Sequence, residues 1–98
     1  MAKVNTRSAN KLAGVRIDLP DEITNYGSVW RNRVRYVLRS DGKVLASYQT
    51  AIHYEGQPDY WGSQNYRTLG TIKDLGTFNL EVWARRRHPN AVTVTVDK

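Results

Sequence analysis

Arg31, Arg33, Arg35 and Arg39 stand two or four positions apart in the segment VWRNRVRYVLR. Side chains of an extended chain alternate between faces, so all four project from one side, about 7 Å apart where they are two residues apart. That interval approximates the separation of successive phosphates, and a guanidinium presents paired donors that fit one. The pattern is a candidate for binding nucleic acid or another anion. Arg85 and Arg87, with Arg86 and His88 beside them, are expected to extend the patch. Lys3, Arg7 and Lys11 add a basic N-terminal segment free of acids. The competing reading is a solvated face whose charges keep the sheet from pairing with others.

Aromatic side chains form a second group. Tyr54, Tyr60, Trp61 and Tyr66 fall in or beside the turn-rich stretch GQPDYWGSQNY, and Trp83 reads as outward-facing in its own segment. Such rings stack on bases or sugars, or anchor protein interfaces. Tyr60, Trp61, Tyr66 and Trp83 are therefore the expected interface residues, with Trp61 equally suited to plugging the end of the core.

Catalytic chemistry has little to build on. His53 and His88 are the only histidines. His53 stands two residues before Glu55, so the two share a strand face and could act as an acid/base pair, as in a small basic ribonuclease. General acid/base work requires groups converging on one atom in a cleft, and the spacing alone supplies no convergence. There is no cysteine, no His/Asp/Glu spacing of a metal site and no phosphate-binding glycine loop. The expectation is a non-enzyme with no catalytic residues, no metal and no cofactor.

The elements that must position these residues belong to one domain of 98 residues, with 40% hydrophobic residues and a net charge of +6. That balance favours polyanions by long-range attraction. No apolar leader or membrane-length run is present, so the expected location is cytoplasmic or within a virion. A Met at position 1 is read as the start of a complete chain.

Residues 29–55 read as two strands joined by Ser40-Asp41-Gly42. Trp30, Asn32, Val34, Tyr36 and Leu38 alternate with the arginines, and Val44, Ala46, Tyr48, Thr50, Ile52 and Tyr54 share a face of the second strand. A three-residue loop with Gly42 left-handed pairs Leu38 with Val44, Val34 with Tyr48 and Trp30 with Ile52. A two-residue loop would set Arg31 against Ile52, so the pattern selects the longer one. A strand over Val15, Ile17 and Leu19 is stopped by Pro20, with one helical turn a further option at Pro20 or Asp21. Residues 56–66 read as a loop and Arg67–Ile72 as a strand. Thr77–Arg87 reads as a strand with Phe78, Leu80, Val82 and Ala84 inward, paired with AVTVTV as a hairpin.

Six or seven strands at this spacing predict an all-β fold, a small antiparallel sandwich or partly open barrel. Residues 1–13 form a basic N-terminal arm and 14–98 the domain. Asp74-Leu75-Gly76-Thr77-Phe78, followed by Leu80 and Val82, resembles the corner that opens strand F of immunoglobulin-like sandwiches, and Trp30 stands where they often place a core Trp. The resemblance covers Trp30 to Val96, with Phe78 for the usual Tyr and no cysteine pair, and it implies a fold without a function. The expected function is a structural or assembly domain, most concretely a phage or virus particle component of coat, decoration or tail type. It self-associates and turns its arginines to nucleic acid or an acidic neighbour. The alternative is a free-standing nucleic-acid-binding or regulatory protein. A ribonuclease and then a carbohydrate-binding module follow.

Overall fold

The computed structural model describes residues 10–97. These residues form strands β1 (Lys11–Asp18), β2 (Glu22–Ile23), β3 (Val29–Arg39), β4 (Lys43–His53), β5 (Arg67–Thr71) and β6 (Thr93–Val96) and one helix, α1 (Leu80–Arg87). The strands form one antiparallel sheet in the order β5-β4-β3-β1-β6, with β2 beside the start of β3. The sheet is open, and its covering layer is α1, where a sandwich would have a second sheet.

The β3–β4 hairpin has the register that its alternation demands. Leu38 lies opposite Val44, Val34 opposite Tyr48 and Trp30 opposite Ile52. Gly42 closes the turn at φ +86°, a conformation that side chains with a Cβ rarely adopt. It is also a close-approach point: a Cβ there would lie 2.6 Å from the Ile72 carbonyl oxygen, while the Ile72 N–H donates to the Gly42 carbonyl at 2.7 Å. The turn thus clamps the end of β5 against the hairpin.

β1 ends before Pro20 as expected, but begins at Lys11, so Lys11, Leu12 and Ala13 belong to the sheet. Lys3 and Arg7 lie outside the described residues. After Pro20 the chain makes the two-residue strand β2 in place of a helical turn.

The expected strand Thr77–Arg87 is corrected to a helix. Asn79 is its N-cap, with its side-chain oxygen accepting from the Val82 N–H at 3.1 Å. Glu81 occupies the first turn and bonds Arg85 one turn later at 2.9 Å, while Arg85, Arg86 and Arg87 complement the negative end. Leu80 and Ala84, four apart, are buried on one helical face. The expected hairpin between Thr77–Arg87 and AVTVTV is therefore absent. β6 instead pairs with β1, Ile17 against Val94 and Val15 against Val96.

α1 packs over β1 and β3. The core between them comprises Val15, Ile17, Val34, Tyr36, Leu38, Val44, Ala46, Leu80 and Ala84. Trp83, expected to face outward, leans edge-on against the Tyr36 ring with centroids 4.9 Å apart, and is partly buried there. Eight helical residues cannot cover six strands, so Tyr48 and Thr50 on the same face remain exposed.

Candidate functional site

The four arginines of β3 project from the face opposite α1, and the connection 54–66 folds back across them. Each guanidinium has a different environment. Arg31 donates to Asp59 at 2.8 Å and faces Asp21 at 3.7 Å. Arg35 is held by both carboxylate oxygens of Asp97, which also takes Lys11 at 2.6 Å. Arg39 donates to Asp41 at 2.9 Å. Arg33 makes no ion pair among the described residues, although Asp18 stands opposite it on β1: its Nε–H donates to the Gln49 side-chain oxygen at 2.9 Å, and its guanidinium lies 3.9 Å from the Trp61 ring centroid. Burial, then the neighbouring charge of Arg16, pushes its pKa below the usual arginine value.

The connection is tied down by these contacts. Asp59 sits 2.9 Å from His53 Nδ1 and accepts from Arg31, and the His53 bond first, then the Arg31 bond, hold its carboxyl below the ordinary carboxylate range. The Gln49 side-chain amide donates to the Gly62 carbonyl. Ser47, Gln49 and Ala51 are buried beneath it, although they face away from the core. His53 thus has Asp59 as its partner, while Glu55 stays exposed.

Of the expected interface aromatics, Tyr60 is 74% exposed, Tyr66 is 39% exposed beside Arg35, Trp61 lies under Arg33, and Trp83 packs on the core. Arg85 pairs with Glu81, and Arg87 turns towards Tyr36 and Trp83 on the helix side. The β3 ladder and the α1 arginines therefore occupy opposite faces of the sheet and form no common patch. Asp59 and Asp97 carry no signal as single residues. Their roles come from pairings 6 to 86 positions apart.

A second feature lies at the sheet margin. β5 pairs with Lys43–Ala46 of β4, so among the described residues β4 from Ser47 to His53 has no strand on its outer side. The connection 54–66 makes one backbone–backbone hydrogen bond, within itself, from the Gln57 N–H to the Tyr54 carbonyl at 3.1 Å. Among the described residues, alternate backbone groups along these seven residues of β4 thus have no strand partner.

Among the described residues no group of three or more His, Cys, Asp or Glu side chains is placed to hold a metal ion, and no helix is long and apolar enough to cross a membrane. Compared with known family models, characterised proteins and solved structures, the chain matches none.

Proposed function

We propose that this chain is a non-enzymatic assembly subunit whose copies pair edge to edge along β4. A coat, decoration or tail component of a phage or virus particle is the most concrete form of that role. The observation that carries the reading is the unpaired margin Ser47–His53 on one of the sheet's two longest strands.

Antiparallel pairing about a two-fold axis at Thr50 sets Tyr48 opposite Ile52 of the partner subunit, Gln49 opposite Ala51 of the partner subunit, and Thr50 opposite itself. Aromatic–aliphatic and Thr–Thr pairs across strands each contribute about 0.2–1 kcal/mol, on top of the new backbone bonds. The stretch SYQTAIH contains no Lys, Arg, Asp or Glu. Two chains of net charge +6 can thus approach there without like charges opposed. Natural proteins guard exposed edges with such charges, and this margin lacks them.

Light scattering on the eluting protein, at low and high salt, tests the reading. The expected result is an oligomer that persists at high salt, and a shift to monomer in Thr50→Lys, which places two cations together at the axis. A wild-type protein that stays monomeric at about 100 μM, well above the micromolar range of weak specific association, would contradict it.

A further inference from the structure

The net positive charge is distributed unevenly between the two faces. On the side crossed by the 54–66 connection, Asp18, Asp21, Asp41, Asp59 and Asp97 stand against Arg16, Arg31, Arg39 and Arg35. On the helix side, Arg67 and Arg87 have no carboxylate partner among the described residues, and Glu81 is taken by Arg85. Glu22, opposite Trp30, stands four residues along β3 from the row of Tyr48, about 13 Å at strand rise.

Between these two arginines lies Tyr48. Its ring rises from the part of the sheet that α1 leaves bare and is 48% exposed. The Arg67 guanidinium lies 5.5 Å from its centroid. Its hydroxyl is 3.4 Å from that of buried Tyr36, whose oxygen also takes the Arg87 Nε–H at 3.4 Å and lies 2.6 Å from His88 Nε2. This row of polar contacts gives the hydroxyl end of the Tyr48 ring and the Arg87 side chain fixed neighbours. Next along the face, the exposed Thr50 hydroxyl donates to the Asn32 side-chain oxygen at 2.9 Å, a bond that uses neither the Asn32 amide N–H groups nor the Thr50 lone pairs.

The geometry points to a binding site for single-stranded nucleic acid on this face, with Tyr48 as the stacking platform, Arg67 and Arg87 on the backbone phosphates, and Asn32 and Thr50 at base edges or sugar hydroxyls. A half-exposed aromatic ring flanked by unneutralised guanidiniums matches the two requirements of single-strand binding, a π-face and cations tracking the backbone. A paired duplex keeps its bases stacked and offers the ring nothing to stack on. The site shares Tyr48 and Thr50 with the β4 margin but uses their side chains on the helix-side face, not the backbone edge, and it does not require pairing. Edge pairing about an axis normal to the sheet would leave the face open and bring the patches of two copies to the same side.

The test is fluorescence anisotropy with fluorescein-labelled 12-nucleotide oligo(dT) and oligo(rU), titrated with the full chain at several salt concentrations, with light scattering on the same samples. Wild type is expected to bind at least one of the two oligomers, with affinity falling steeply as salt rises. Arg67→Ala lowers the slope of log affinity against log salt by about one, as for a lost phosphate contact. Tyr48→Leu, which keeps apolar bulk but loses the ring, weakens binding about five- to a hundredfold. Lys73→Ala, on the turn after β5, leaves binding unchanged. The proposal is overturned if wild type binds neither oligomer, or if Arg67→Ala and Tyr48→Leu both bind like wild type. A variant that loses binding at unchanged mass separates failure of this site from failure of edge pairing.

Discussion

Asp97 joins three strands through one carboxylate. It follows β6, takes Arg35 of β3 and Lys11 of β1, and its backbone N–H donates to the Gly14 carbonyl at 2.9 Å. Arg35 first, then Lys11, hold its pKa down at about 2, against 3.8 for an ordinary aspartate. A carboxylate whose folded pKa lies below its unfolded one contributes stability above the unfolded value and loses it as pH falls through the folded one. Unfolding free energy is therefore expected to drop between about pH 4 and pH 2. Asp97→Asn should flatten that drop when denaturant unfolding is followed across the window, and should cost about 1–3 kcal/mol at pH 7 as a lost charge-assisted bond. An unaltered pH dependence in the variant would remove Asp97 from this role. The arginines were legible as a stripe because alternation is local. Their carboxylates were not, since Asp97 lies 62 positions from Arg35 and Asp59 lies 28 from Arg31. Nothing in the spacing of either acid marks it as a partner, and the stripe read as free charge is in fact largely ion-paired.

Among the elements, the β3–β4 hairpin was readable because a one-residue slip would turn an entire apolar face outward. Gly42→Ala is expected to destabilise by about 1–3 kcal/mol, from strain at positive φ together with the clash on the Ile72 carbonyl. Chemical denaturation measures it, and a neutral substitution would mean the turn is not held as described. α1 satisfies two periods at once. Leu80, Val82 and Ala84 satisfy a period of two, and over so short a segment Leu80, Trp83 and Ala84 satisfy a helical period equally. The deciding signals were at the ends: Asn79 as a cap, Glu81 in the first turn and Arg85 four residues after it. Asn79→Ala should cost about 1 kcal/mol through the cap, and Leu80→Ala about 2–5 kcal/mol through the cavity it leaves. Equal costs for the two, or none for Asn79→Ala, would contradict a capped helix docked by Leu80. With α1 a helix, β6 is released to pair with β1, so one wrong period displaced two elements.

For the whole molecule, strand content was legible and closure was not. A sandwich and an open sheet covered by a helix share the same alternating strands, and the difference lies in a single eight-residue segment. The consequence is a molecule with one ion-paired face under the 54–66 connection, one face only partly covered by α1, and an unpaired margin on β4. The absence of native cysteine makes the central claim directly measurable. Pairing about Thr50 brings the two Thr50 Cα atoms to about 4.5–5.5 Å, inside the range a disulfide spans. Thr50→Cys, a substitution at an exposed position, should convert to a disulfide-linked dimer on mild oxidation, while Thr68→Cys on β5 should not. A Thr50→Cys protein that remains monomeric in oxidising, non-reducing electrophoresis, at concentrations where wild type scatters as an oligomer, would place the contact elsewhere and contradict pairing along β4.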